Sequence, residues 1–246
     1  MEHGSSQHWI ILSLTLVLSV YVTHVGRRDE TGRRSHRLAL LMGLGLILNY
    51  AFYVFYRVRE GYWELRYDLP MELCNWSALA TSVALLTRNR LSAELSYFWV
   101  MTGSINGVLT PDLDFDFPHV RFFMFFIGHS GLIVACAFAV FGLRLYPRRG
   151  AVLRAFLFSE VYLIVTLAVN FLVNGNYGYL MAKPGAGSLL DYLGDWPGYL
   201  IHLQWIILLL FGLAYLPFYR LYAGRPSQAV QGFTDAARNR DGAQHD

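Results

Sequence analysis

The twenty basic residues of this 246-residue chain keep almost entirely out of its long apolar runs and collect in the connections between them, which alternate between Arg-rich and Arg-poor. A chain with that pattern folds as an all-α bundle of membrane helices. In lipid, each apolar run can satisfy its backbone N–H and C=O groups only within a helix. With 55% hydrophobic and 15% charged residues and a mean hydropathy of +0.35, it has too little polar surface to wrap a water-soluble core of this size. The net charge of +3 sits in short segments that flank the runs, so it marks orientation rather than a nucleic-acid partner. Two cysteines exclude a disulfide framework.

A helix that crosses a bilayer core needs about 20 apolar residues. Seven stretches qualify, at about 8–25, 36–56, 69–87, 94–110, 118–145, 152–173 and 196–218. The fourth is the least apolar. It carries Gly103, Ser104, Asn106 and Gly107, which predicts packing against other helices or a polar cavity rather than lipid. Fifteen basic residues fall on one side of this arrangement (Arg27, Arg28, Arg33, Arg34, Arg37, Arg88, Arg90, Arg144, Arg148, Arg149, Arg154, Arg220, Arg225, Arg238 and Arg240). Five fall on the other: Arg57, Arg59, Arg66, Arg121 and Lys183. The richer side is cytoplasmic by the positive-inside rule. The N-terminus is then outside and the C-terminus inside, which seven crossings satisfy. The first run has no basic segment ahead of it and no small-residue cleavage site, so it reads as a retained helix rather than a signal peptide. One membrane domain fills 1–222, and the polar tail 223–246 is expected to be a disordered cytoplasmic segment.

Polar residues are costly inside a membrane, so those that remain are the candidates for chemistry. The third stretch opens Leu69-Pro70-Met71-Glu72-Leu73-Cys74-Asn75, with Pro70 placed in a first helical turn where its missing N–H is harmless. Cys74 then lies about 8 Å below the helix start at ~1.5 Å per residue. Glu72 and Asn75, three apart, share a face that Cys74 does not share with Glu72. The fifth stretch also runs inward, and His129 lies about 15 Å below His119. Within the tilt of real helices, the thiol and the imidazole can meet. A free thiol is mostly protonated at neutral pH, and an adjacent imidazole that takes its proton makes it a nucleophile. Against this stands the ordinary role of cysteine as a small packing residue. Cys136, in Ala135-Cys136-Ala137, has that role and no polar neighbour in sequence.

Two outer segments carry further polar residues. In Pro111-Asp112-Leu113-Asp114-Phe115-Asp116-Phe117-Pro118-His119, acids alternate with apolar residues. The pattern fits an acidic interfacial loop better than a cation site. The long segment from Asn174 to Pro197 is rich in Gly, Tyr and Trp, as interfacial binding loops are. Two shorter matches are weak. His24 to Asp29 has the His-x-x-x-x-Asp spacing of glycerolipid acyltransferases but straddles a helix end. Gly128-His129-Ser130-Gly131 matches the Gly-x-Ser-Gly of intramembrane rhomboid proteases, yet the nominal partner His202 lacks the small neighbours of that family. No phosphate loop, zinc motif or Cys-x-x-Cys occurs, so neither metal nor cofactor is implied.

Taken in order, several of these segments resemble the YwaF/TMEM164 family of multi-pass membrane proteins over roughly 36–215. They are Leu69-Pro70-Met71-Glu72-Leu73-Cys74, the Leu109 to Pro118 loop, Gly128-His129, Asn176-Tyr177-Gly178-Tyr179-Leu180, Lys183-Pro184, Ser188-Leu189-Leu190-Asp191, Gly194 and Trp196-Pro197. The eukaryotic branch is described as a cysteine-dependent acyltransferase that moves an acyl chain between phospholipids and a lyso-ether lipid. The resemblance implies Cys74 as the acyl-accepting nucleophile and His129 as its base. Glu72, Asn75, Asn106, Asp112, His119, Asn176, Tyr177, Lys183 and Asp191 are then candidates for substrate binding, with Asn75, Asn106 or Asn176 donating to the oxyanion. The partners would be a membrane phospholipid or lysophospholipid and the bilayer itself. The location would be a cell membrane, the inner membrane for the bacterial branch. Water in place of the lysolipid would make the protein a lipid hydrolase. Two other readings stay open. Asn49, Asn170 and the aspartate loop could line the path of a transporter or channel, although no inverted repeat or matched pair of broken helices is visible. A non-catalytic membrane protein would use Cys74 only for packing.

Overall fold

Every long apolar run forms a helix, and the shortest and most polar runs form the broken or truncated ones. In the computed structural model, which describes residues 4–111, 113, 115–185 and 189–222, no strand occurs among the described residues. α1 spans Ser6–Arg28 and is capped by Ser5, whose hydroxyl accepts the His8 N–H at 3.3 Å. α2 spans Arg33–Arg59 and α3 spans Leu73–Thr87. α4 starts as Arg90–Trp99 behind an Asn89 cap, widens into a π-helical segment at Val100–Ser104 and ends in the turn Asn106–Leu109. α5 spans Val120–Ala137 and is prolonged by a second π-helical segment, Phe138–Gly142. α6 is Ala151–Val173 and α7 is Gly198–Tyr222.

Among the described residues, five helices are long and apolar enough to cross a membrane: Ser6–Arg28, Arg33–Arg59, Val120–Gly142, Ala151–Val173 and Gly198–Leu221. Large apolar side chains stay uncovered along them, with Leu16 67% and Leu172 84% exposed. Apolar surface that continuous is unfavourable in water and suits lipid. α3 and α4 differ. α3 has 15 residues, a length of about 22 Å against a bilayer core of about 30 Å. α4 is interrupted by its π segment. These two helices and the C-terminal half of α5 with its π extension hold the core, where Ala84, Phe98, Val100, Ala135 and Phe138 are fully buried. Small and hydroxylated residues bring the backbones close. A Cβ on Gly103 would come within 2.7 Å of Leu73 Cδ2, the Ser82 hydroxyl donates to Gly43 O at 3.0 Å, and the Thr81 and Ser96 hydroxyls lie 2.6 Å apart.

Two buried carboxylates fasten the ends of this core. Glu94 accepts from Arg148 Nε and Arg154 Nε, each at 2.8 Å, and from the Arg148 backbone N–H at 3.0 Å. At the other end Asp68 accepts from Arg57 Nε and Nη2 (both 2.9 Å), from the Glu64 N–H (2.8 Å) and from the Tyr53 hydroxyl. Arg57, Arg148 and Arg154, which the sequence suggests as orientation signals, are thus also structural partners. Burial alone would raise the Asp68 carboxyl, but these donors hold it below its ordinary 3.8.

The Asp68 network changes where α3 begins. Pro70 is not in a first helical turn as its position suggests. It lies in the folded segment 60–72, two residues ahead of the N-cap Glu72. The reason is local: Tyr67 N and Asp68 N both bond Glu64 O, which turns the chain before Pro70, so the helix starts only at Leu73. Cys74 is therefore the second residue of α3 rather than a turn and a half inside it. The segment 223–246 lies outside the described residues.

Candidate functional site

A cavity of about 230 Å³ lies between α2, α3 and α5. Cys74, Asn75 and Glu72 line it from the start of α3, and Phe125, Gly128, His129 and Leu132 line it from α5. His129 is nine residues into α5 while Cys74 is the second residue of α3, so the wall combines the start of α3 with the interior of α5. Tyr67, Asp68 and Leu69, from the segment ahead of α3, complete it.

α4 runs from α3 to the imidazole. The Ser104 hydroxyl, at the end of the π segment, donates to Ser77 Oγ at 3.1 Å, one turn along α3 from Cys74. One turn further on, Gly107 packs directly against His129: a Cβ there would meet the imidazole Cδ2 at 2.3 Å and Nε2 at 2.9 Å. Residues three apart in a helix share a face. One turn of α4 therefore packs on the first turns of α3 and on the imidazole, and only a glycine leaves room for the ring. π segments are often found at functional sites, because the extra residue re-aims the turn that follows.

The imidazole is oriented. His129 Nδ1 is 2.9 Å from the Phe125 carbonyl, and the ring stacks on Phe125 with centroids 4.2 Å apart. A carbonyl can only accept, so Nδ1 carries the proton and Nε2 keeps a lone pair. Cys74 has the complementary setting. Glu72 O accepts from the Asn75 and Trp76 N–H groups at 2.9 and 3.3 Å, and the Leu73 and Cys74 N–H groups precede the first intrahelical bonds. The positive end of α3 thus faces the sulfur, where negative charge would develop. Cys136, 2% exposed, packs in the core.

The other candidates are placed less uniformly. Glu72 lines the cavity and accepts the Gly178 N–H at 3.1 Å. Asn106 is exposed beside Gly107, and its carbonyl accepts from Thr110. His119 caps α5, accepting the Arg121 N–H at 3.2 Å and stacking on Phe115. Asn176 spends its amide inside its own loop, on Met181 N, Ala182 N and Ala182 O. Tyr177 is a strut: its hydroxyl accepts from Leu69 N at 2.8 Å and donates to Leu65 O at 2.7 Å, which ties the α6–α7 connection to the segment that precedes α3. Lys183 lies over the Tyr199 ring, 5.9 Å from its centroid, and Asp191 is exposed in the short helical turn Leu189–Leu193. Asp112 and Asp114 lie outside the described residues, as does Ser188. The amides suggested for a polar path are engaged within the protein: Asn49 donates to Met124 O at 3.1 Å, and Asn170 donates to Tyr177 O and accepts from Tyr177 N. Asp29, in the His24–Asp29 match, caps the start of α2 through Ser35 N. Ser130 and His202 lie on α5 and α7, the latter exposed.

Residues that the sequence reading did not single out also join the cavity wall, among them Tyr50, Tyr53, Asp68 and Phe125. Asp68 carried no sequence signal that set it apart from its neighbours Glu60, Glu64 and Glu72. Arg121, read only as a loop charge, also lines it.

The model of one known family, described as the TMEM164 family, matches residues 3–215. Comparison with curated proteins and with solved structures finds no match to either.

Proposed function

Because the chain belongs to the TMEM164 family, whose model covers 3–215, we propose that it is a membrane-embedded acyltransferase in which Cys74 carries the acyl group and His129 moves the protons. The observation that carries the reading is the cavity that Cys74 and His129 both line, with Gly107 under an imidazole whose Nε2 holds a free lone pair. The substrate is a phospholipid acyl ester that enters from the lipid phase. We read all seven helices as crossing the membrane, with the N-terminus outside and the C-terminus cytoplasmic, in the inner membrane of a bacterial cell.

The chemistry follows from the groups present. His129 Nε2 takes the thiol proton as Cys74 Sγ adds to the ester carbonyl carbon. Charge passes to the carbonyl oxygen, and the unbonded N–H groups at the start of α3 and the Asn75 amide are the nearest donors to receive it. The intermediate collapses with cleavage of the C–O ester bond. The departing lysolipid oxygen takes the proton from His129, which leaves the acyl group as a thioester on Cys74. In the second half an acceptor hydroxyl gives its proton to Nε2 and attacks the thioester, and Cys74 leaves and is reprotonated. Water as acceptor gives the free fatty acid.

The test is turnover of a labelled phospholipid in detergent micelles, with and without a lysophospholipid acceptor, by the native protein and by Cys74→Ala and His129→Ala. Transfer to the lysolipid that both substitutions abolish, in folded protein, supports the reading. Release of free fatty acid alone marks a hydrolase. Full turnover by Cys74→Ala defeats the proposal.

A further inference from the structure

We infer that Arg121 is the phosphate anchor of the cavity, the residue that selects an acyl donor carrying a phosphodiester over a neutral glyceride; the inference rests on the acyl-transfer reading above for its substrate. Arg121 is in the first turn of α5 and lines the cavity that Cys74 and His129 line. It lies eight residues, about 12 Å, ahead of His129 along the helix at ~1.5 Å per residue. That offset separates a headgroup position from the reacting carbon by the span of an arginine side chain plus a glycerol backbone.

The charges around the cavity single it out. Asp68, the acid facing the same space, is already met by Arg57, the Tyr53 hydroxyl and the Glu64 N–H. Arg57 is thereby consumed as well. Glu72 turns to the Gly178 N–H. Among the described residues, no carboxylate stands within ion-pair distance of Arg121. Its guanidinium is held instead by an aromatic face, 4.6 Å above the Phe115 ring, which itself stacks on the α5 cap His119 at 4.2 Å. Cation–π seating fixes the plane of the guanidinium and leaves its N–H fork available. A planar fork with a full charge at the positive end of a helix is suited to a phosphate, which it meets with two parallel hydrogen bonds. Below it the wall turns apolar and aromatic, with Leu46, Leu69, Met124 and Leu132, as an acyl chain requires.

The test is binding of short-chain ligands to full-length Cys74→Ala protein, read by native mass spectrometry: dioctanoyl phosphatidylcholine, dioctanoylglycerol and inorganic phosphate. Arg121→Gln should weaken the phospholipid about ten-fold or more, the worth of a charge-assisted hydrogen-bond pair, and leave dioctanoylglycerol unchanged. Arg121→Lys, which keeps the charge and loses the fork, should fall between. Equal weakening of phospholipid and glyceride means that Arg121 only shapes the wall, and overturns the inference, as does phospholipid binding that ignores both substitutions. Inorganic phosphate that binds through Arg121 while the phospholipid does not would make it a free-anion site, and also overturns it. The acyl adduct on native Cys74, measured separately, distinguishes the two levels. An adduct without Arg121 selectivity defeats the anchor alone. Selectivity without an adduct defeats the acyl-transfer reading and leaves the anchor standing.

Discussion

Gly107→Ala places a methyl group where the His129 ring now lies. The built Cβ falls 2.3 Å from Cδ2, and ordinary contact begins at 3.4 Å, so the imidazole has to retreat by at least about 1 Å or α4 has to move away from α5. Retreat breaks the 2.9 Å bond to the Phe125 carbonyl and the ring stack, the two features that aim Nε2 at the cavity. A displacement of ~1 Å in a reacting group costs roughly 100-fold in rate. The fold itself should survive. Overpacking costs about 1–3 kcal/mol, alanine recovers roughly 0.5–1 kcal/mol of helix propensity, and domains hold about 5–15 kcal/mol in reserve. The assay is the rate of acyl-Cys74 formation, by intact mass, paired with thermal melting in detergent. Gly131→Ala is the control on α5, since nothing stands within 4 Å of its built Cβ. It should acylate at the native rate. A Gly107→Ala protein that melts normally and acylates at the native rate would refute the placement of His129 as the base.

Other outcomes follow from the same geometry. Asp68→Asn should lower stability by about 2–4 kcal/mol, because Arg57 loses its charge partner in a largely enclosed site. Since the Asp68 carboxyl is held below its ordinary 3.8, its contribution is present above that pH and lost as pH falls through the lower folded value. A melting series in acid should show the loss in native protein and not in Asp68→Asn. Glu94→Gln should destabilise by about 2–4 kcal/mol, less than a fully buried pair since Arg148 and Arg154 remain partly exposed, with the acylation rate per folded molecule unchanged. A small thiol reagent should label native protein once, at Cys74, and spare Cys136, which is 2% exposed; peptide mass mapping reads the site, and labelling of Cys136 in folded protein would contradict the burial.

The helices were legible because their cause is local. Long apolar runs such as 36–56 and 152–173 satisfy their backbones in only one way, and the observed α2 and α6 overlap them closely. The start of α3 was not legible. Pro70 looks like a first-turn residue, and only the partners of Asp68, from α2 and from Glu64, show that the chain is still turning there. The π segment of α4 was half visible. Gly103, Ser104 and Gly107 mark a helix that neighbours approach, yet nothing in their spacing fixes which turn meets which partner. Depth counting along two helices suggested that Cys74 and His129 could meet, and both do line one cavity. The count used a helix start that the structure does not have, because the start of α3 depends on partners far away in sequence, including the tether of Tyr177 to residues 65 and 69. Polar residues put forward by the resemblance, such as Asn176 and Tyr177, are engaged in holding loops, a common use of an amide or phenol. Arg57 and Arg121 read alike as loop charges; only their partners separate a structural cation from one that faces a cavity.

The most direct test of the account is chemical capture of the intermediate. Purified protein is incubated with a phospholipid without acceptor, quenched in acid and weighed intact, beside Cys74→Ala, Cys136→Ala and His129→Ala. The account predicts a mass increase of one acyl group that hydroxylamine removes, present in native protein and Cys136→Ala, absent in Cys74→Ala and formed at least about 100-fold more slowly in His129→Ala, the usual worth of a positioned base. An adduct that persists in Cys74→Ala, or phospholipid turnover with no adduct at any time point, would contradict it.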